Sequence, residues 1–209
     1  MAITKVNSLI DKAATVIQDR TNIRWDKDEL LGWLNESYQN IVLLRPDANT
    51  NTEFVTLQPG TKQEIPSTGV KFVTLTRNNV GGTAIRYVDR SVLDDQIPDW
   101  HAAPETGQVE HFVYDLSNPR VFYVYPQAAS GARVELVYSS VPTPHAIDDI
   151  ATDTIGLDDR YAPAILDYIL YRAYQKDADY AANDQRSASA YQTFLNSLGV
   201  QNATPTSQS

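Results

Sequence analysis

Apolar residues recur at helical spacing over the first stretch of the chain, at Val6, Leu9, Ile10, Ala13, Val16 and Ile17, and this stripe predicts a helix from about Thr4 to Arg20. A stronger start signal follows in WDKDEL. Asp26 is placed to cap a helix, Glu29 to reach back as the other half of a capping box, and Trp25 and Leu30 to form a hydrophobic staple. Leu30, Leu34, Tyr38 and Ile41 continue the stripe, and Pro46 ends this second helix at or before Arg45. From Glu53 to about Val141 the period changes to two. EFVTLQPG and KQEIP read as a hairpin around Pro59-Gly60, VKFVTLTRN as a strand before the NNVGG turn, and TAIRYVDR as another strand. SVLDDQIPDW is compatible with a short helix or an irregular loop. VEHFVYDLSNPRVFYVYPQ is the clearest hairpin, two aromatic-rich strands around Ser117-Asn118-Pro119, and RVELVYSSVP closes the set with Val134, Leu136 and Tyr138 on one face.

A loop with two prolines, PTPHAIDDIATDTIG, leads into one long helical stretch or two helices joined at a bend. Asp158 or Asp159 caps it and Pro163 lies in its first turn, where a missing N–H costs little. Ile165, Tyr168, Ile169, Arg172, Ala173 and Lys176 share a side; Asn183-Asp184 is the expected kink or interruption; Tyr191, Phe194, Leu195 and Leu198 resume the apolar face up to Gly199. The predicted fold class is therefore α+β. Helices from both ends (residues 1–50 and 150–199) form a bundle, an antiparallel β domain (51–149) is inserted between the second and third helices, and residues 200–209 form a flexible C-terminal tail.

Composition narrows the function. A chain of 209 residues suits one domain, or one with a large insertion. The absence of cysteine removes disulfides, thiolate zinc sites and cysteine nucleophiles together. A net charge of −9 disfavours a broad grip on DNA, which depends on Lys and Arg neutralising phosphates. No run approaches the about 18 apolar residues of a membrane span, and the amphipathic start is no signal peptide, so a cytoplasmic place or assembly there is expected.

Catalytic chemistry finds little support. Gly81-Gly82 stands alone, without a phosphate-cradling pattern, and reads as a turn. His101, His111 and His145 share no helical spacing and read as structural or surface residues. No G-x-S-x-G elbow is present. The pairs Asp94-Asp95, Asp148-Asp149 and Asp158-Asp159 are adjacent in loops, whereas paired catalytic acids come from different elements facing one cleft. No catalytic residue, metal or cofactor is expected. The tyrosines of the last helical stretch are spread around its axis, more aromatic area than a single neighbour covers. Tyr161, Tyr168, Tyr171 and Tyr174, with Arg172, are therefore the expected subunit-interface residues.

The words of this region carry a resemblance. DDRYAPAILDYILYRAYQKDADYAANDQRSASAYQTFLNSLG resembles the C-terminal helical region of tailed-phage head-to-tail adaptor proteins. There, a helix with DY-x-L-x-RA-x-x-KDA follows a β-rich insertion, and Asp167, Tyr168, Leu170, Arg172, Ala173, Lys176, Asp177 and Ala178 occupy those places. LLGWLNESYQNIVLLRPDA is similar to the group's second helix, and FVYDLSNPRVFYVYPQ and VELVYSSVPTP match its β-part in style. The resemblance spans most of residues 3–199. It implies a structural virion protein at the head–tail junction: a twelve-fold ring of identical copies beneath the portal protein, presenting a surface to a tail or nozzle protein and extending the DNA channel without specific DNA binding. It also implies that the tail (Val200, Gln201, Asn202, Ala203, Thr204, Pro205, Thr206) docks on the portal. An acidic lumen favours sliding over adhesion, and Asp177, Asp179 and Asp184 are the candidate lining acids. Two rival readings remain: a β-rich module whose aromatic strands bind a carbohydrate or host surface, and, more weakly, a hydrolase.

Overall fold

Val6–Val16 forms helix α1, shorter at both ends than the span from Thr4 to Arg20 that the sequence predicts, in a computed structural model that describes residues 2–177 and 181–200. Gln18 and Asn22 stop it by turning to φ 62° and 53°, a left-handed region that costs non-glycine residues energy. Asp19 holds this turn, its carboxylate accepting the N–H groups of Ile23, Arg24 and Trp25 at 3.0, 2.8 and 2.8 Å. These hydrogen bonds, that of Trp25 foremost, keep the Asp19 carboxyl below the usual carboxylate range. Helix α2 (Lys27–Leu44) begins as the sequence indicates, with the Asp26 side chain accepting the Asp28 N–H at 3.1 Å. The second half of the capping box does not form. Glu29 takes the Lys176 ammonium instead, a charge-assisted partner stronger than a backbone N–H.

Residues 49–141 make up a compact unit of two sheets, one short α-helix and a 3-10 turn at Trp100–Ala102. Its elements are β1 (Thr50–Thr56), β2 (Gly60–Glu64), β3 (Gly69–Asn78), β4 (Arg86–Tyr87), α3 (Arg90–Gln96), β5 (His111–Tyr114), β6 (Val121–Ala128) and β7 (Arg133–Ser140). One sheet has the order β1-β7-β3 and the other β2-β6-β5-β4. The β5–β6 hairpin stands where the sequence places it, His111 opposite Tyr125 and Tyr114 opposite Phe122. Two expectations are corrected. β1 and β2 form no hairpin: β1 pairs with β7 and β2 with β6, in different sheets. Nor is the unit wholly antiparallel, since β4 runs parallel to β5. The cause of the first is local. The buried amide of Gln63 accepts the Gln58 N–H at 2.8 Å and donates to the carbonyls of Gln58 and Gly60 at 2.7 and 3.1 Å. One side chain thus satisfies the turn's backbone, and Gly60, at φ 103°, lets the chain swing away between sheets.

The ambiguous SVLDDQIPDW segment folds as α3. Asp89 caps it by accepting the Ser91 N–H at 2.9 Å, and Asp94 accepts the indole N–H of the fully buried Trp100 at 2.8 Å. Between the sheets lies a core of Leu57, Ile65, Phe72, Leu75, Phe112, Phe122, Val124, Val134, Leu136 and Tyr138.

The remaining described residues, up to 48 and from 142 onwards, form the helical unit. A 3-10 turn (Asp159–Tyr161) capped by Asp158 opens α4 (Ala162–Lys176), whose Pro163 occupies the first turn; α5 (Ala181–Ser197) follows. Asn183 and Asp184 neither kink nor interrupt a helix: they lie inside the first turn of α5, and α4 has already ended at Lys176. The fold is thus α+β with five helices and two sheets among the described residues. The helix after the β strands is fourth in order, because α3 forms among them.

α4 and α5 pack antiparallel through Tyr168 on Phe194 (5.3 Å between ring centres) and Tyr171 on Tyr191 (4.8 Å). Leu30, Leu34, Tyr38 and Ile41 of α2 and Ile165, Tyr168 and Ile169 of α4 are buried, as are Leu9 and Ile10 of α1. The start of the chain is tied to the same unit by Asp159, whose carboxylate accepts the Ile3 N–H at 2.9 Å and the Thr4 N–H at 2.9 Å. A hydrogen bond from the Thr4 side chain, and then these backbone bonds, hold its carboxyl below the ordinary range. A depressed folded-state pKa contributes stability that is complete above the unfolded value of about 3.9 and is lost as pH falls through the lower folded value. The gap in urea midpoint between wild type and Asp159→Ala should therefore hold steady near neutral pH and narrow on acidification below about pH 4; a gap that widens in acid refutes this tie.

Candidate functional site

Three polar pairs line the seam between α2 and α4. Arg172 Nη1 donates to Glu36 Oε1 at 3.1 Å, Asn40 Nδ2 donates to the Tyr168 hydroxyl at 3.0 Å, and the Lys176 ammonium meets Glu29. The shared side read from the sequence of α4 is the side turned to α2. Tyr168 and Tyr161 are buried inside this unit, at 3% and 6% exposure, so these two members of the expected interface set face the chain's own core. Burial, then Glu36, pushes the Tyr168 hydroxyl pKa upwards, so it stays a neutral donor and acceptor. Tyr171, Arg172 and Tyr174 keep part of their surface, and Tyr191 of α5, which the sequence reading placed on the apolar face, is 39% exposed. Tyr171 lies against Tyr191, and Tyr174 under the Arg186 guanidinium at 5.9 Å. Among the described residues the aromatic surface of the helical hairpin is therefore Tyr171, Tyr174 and Tyr191.

The candidate acids separate as well. Asp177 is ion-paired with Arg24 and accepts Asn183 Nδ2 at 2.7 Å, so its charge is largely compensated. Asp184 is exposed in the first turn of α5, and Asp179 lies outside the described residues. Of the expected docking tail, Val200 belongs to the helix end. Its N–H donates to the Leu195 carbonyl at 3.0 Å and that of Gly199 to Asn196 at 2.9 Å, with Gly199 at φ 69°, a Schellman cap. Arg45 Nη1 adds a bond to the Leu198 carbonyl at 2.7 Å. Gln201, Asn202, Ala203, Thr204, Pro205 and Thr206 lie outside the described residues.

One constellation looks catalytic on paper. Asp153 Oδ2 meets His145 Nδ1 at 2.8 Å, and His145 Nε2 meets the Tyr38 hydroxyl at 3.0 Å. Its geometry argues otherwise. The Tyr38 hydroxyl also accepts the Gly156 N–H at 2.9 Å, so its proton goes to His145 Nε2, which fixes the histidine with its proton on Nδ1, towards Asp153. Asn35 clasps the His145 backbone from both sides, at 2.9 and 3.0 Å. Tyr38 has no exposed surface, and burial pushes its hydroxyl up to about 12. The Tyr38 hydroxyl is sealed from any substrate, and the chain of groups ties the 142–156 loop to α2. Residues 38, 145 and 153 are too far apart in sequence for spacing to reveal it.

The other histidines are separate. His101 stacks on Trp100 at 3.6 Å with its Nδ1 2.8 Å from Thr61 Oγ1, and His111 lies over Tyr125 in the β5–β6 hairpin. Among the described residues no three His, Asp or Glu side chains converge as a metal site. A cleft of about 630 Å³ on the β unit is lined by Tyr87, Tyr114, Leu116 and Tyr123 with Asp89 and Asp115. Both carboxylates already accept backbone and hydroxyl hydrogen bonds, from Ser91 and Ser117, which hold them below the usual range. They are ionised acceptors, not general acids. The strand VFYVYP buries Phe122 and Val124 in the core and packs Tyr123 against Trp100, so Tyr123 is its one ring on this cleft.

No helix among the described residues is long and apolar enough to cross a membrane. The chain matches no curated protein. A family model described as SU10 adaptor protein matches residues 4–209, nearly the full length. The chain therefore belongs to the SU10 adaptor protein family, a family of phage head-to-tail adaptors that are structural virion components and not enzymes.

Proposed function

We propose that this protein forms a ring, dodecameric by analogy with the adaptors it resembles, that joins the portal to the tail and extends the DNA channel. The family match over residues 4–209 carries the reading. In it the helical unit is the body of the adaptor and the β unit an insertion carried between its helices. A ring needs a heterologous contact between unlike faces of one subunit. The aromatic face of α4 and α5, Tyr171, Tyr174 and Tyr191 beside Arg172, supplies one such face. The buried Tyr161 and Tyr168 support it from within. Residues 201–206 reach the portal from the fixed end of α5 at Val200. Asp184 is the better channel-lining acid, since Arg24 compensates Asp177; Asp179 stays a candidate.

The test is co-assembly. The purified chain mixed with its portal protein should co-elute in sizing chromatography and show a ring under the portal by negative-stain microscopy. Absence of a complex at micromolar concentrations, from folded components, overturns the reading.

A further inference from the structure

The two sheets have four outer edges, and three of them are bonded, short or charged. On β3 the N–H of Phe72 donates to the Pro119 carbonyl at 2.8 Å, that of Asn78 to Thr83 at 2.9 Å, and the Thr76 carbonyl accepts from Ile85 at 3.1 Å. β4 is two residues long. β2 carries Lys62 and Glu64 at its outward positions, the charged residues that discourage strand addition.

β1 is different. It runs for seven residues, TNTEFVT, in unbroken register with β7, without Lys, Pro or a bulge. Asn49 and Leu57 are bonded to Ser140 and Ala132, which sets the phase: the backbone groups of Asn51, Glu53 and Val55 point to β7, and those of Thr50, Thr52, Phe54 and Thr56 point outwards. No described residue accepts those outward N–H groups; of the outward carbonyls, that of Phe54 takes Arg133 Nη2 at 3.3 Å. A long, regular, nearly uncharged edge with free donors is a template for another strand.

A second copy fits it poorly. Among the described residues no other edge is long, unbonded and free of paired charges to meet β1 head to tail. β1 against β1 over its full length sets Glu53 opposite Glu53 in a close non-hydrogen-bonded pair, and like charges directly opposite are destabilising. The complementary occupant has a cation opposite Glu53 and an apolar residue opposite Val55, which already packs on the core. We infer that the β1 edge receives an extended segment of a different virion protein, bearing Lys or Arg where it faces Glu53, which adds as a fourth strand to the β1-β7-β3 sheet. This rests on the adaptor reading for where that protein lies, on the portal or the tail side.

Hydrogen exchange on the full chain tests it, alone, with purified portal protein, and with the purified tail-side protein added to that complex. The outward amides of Thr50, Thr52, Phe54 and Thr56 should exchange fast in the free chain and slow by at least about tenfold with one of the two partners. Thr52→Pro removes an outward donor and leaves the β7 ladder intact, so it should melt within about 2 °C of wild type yet lose that complex, while Thr52→Ser keeps it. Glu53→Lys, read by the same complex, should weaken it at least about tenfold. If the complexes form and the four amides still exchange as in the free chain, the edge proposal falls and the adaptor reading stands. Protection on concentrating the chain alone makes a second copy the occupant and overturns the assignment. Failure of any complex to form takes both down.

Discussion

Phe72→Ala should destabilise the β unit by about 3–5 kcal/mol, the cost of deleting a fully buried aromatic ring and leaving a cavity. The residue is 1% exposed, and three rings converge on it: Phe122 stacked at 4.7 Å, Tyr114 tilted at 4.9 Å and Phe112 edge-on at 5.4 Å. Phe72 comes from the β1-β7-β3 sheet and its partners from the other, so this one ring joins the two layers. Aromatic pairs add about 0.5–1.5 kcal/mol each beyond buried area, which places the loss towards the upper part of the range. Hydrogen exchange of β7 amides should quicken at least about a hundredfold in the variant, since each 1.4 kcal/mol is about a factor of ten. Phe72→Leu, which keeps most of the volume, should lose distinctly less. A Phe72→Ala chain within about 1 kcal/mol of wild type means the two sheets are held together elsewhere.

What the sequence discloses about this fold follows the range of the interactions. Asp26 as a cap, Pro163 in a first turn, Gly199 as a stop and the β5–β6 hairpin are all decided by neighbours in the chain, and each was legible. The partner of β1 was not. β7 lies at the end of the strand region, and what separates β1 from β2 is the Gln63 amide filling the turn, a side-chain substitution for a ladder that alternation does not encode. Glu29 misled in the same way. Its spacing from Asp26 fits a capping box, yet Lys176, brought alongside by α4, offers it a full charge.

The candidate surface was legible in kind and not in detail. Too many tyrosines surround α4 for one neighbour, as the sequence implied, but spacing alone could not say that α2 would bury Tyr168 and leave Tyr171 and Tyr174 partly open. That depends on α5 folding back so that Tyr191 meets Tyr171. The acids show the same limit. Arg24 and Asp177 are far apart in the chain, so the compensation of one candidate charge becomes visible only once α1, α2 and α4 are packed.

Replacing Tyr38 by alanine should cost the helical unit about 3–5 kcal/mol, and the loss divides into two parts that separate variants measure. The ring is fully buried beside His145, edge-on at 5.8 Å, and its removal opens a cavity on the inner face of α2. The hydroxyl is the second part. Tyr38→Phe keeps the ring but leaves the Gly156 N–H and His145 Nε2 without their partner, worth about 1–3 kcal/mol. Because the hydroxyl pKa is pushed up to about 12, it remains protonated through the neutral range, and the Tyr38→Phe loss should not change between pH 7 and pH 9. Nitrogen-15 shifts of His145 give the independent readout: wild type should show the proton on Nδ1, and Tyr38→Phe should relax that preference, because Nε2 no longer has a donor to accept from. Asn35→Ala should loosen the loop and leave the histidine proton on Nδ1, since Asn35 holds only the backbone of His145. Equal urea midpoints for Tyr38→Phe and wild type, or a wild-type histidine protonated on Nε2, would mean that the loop is held to α2 by packing alone.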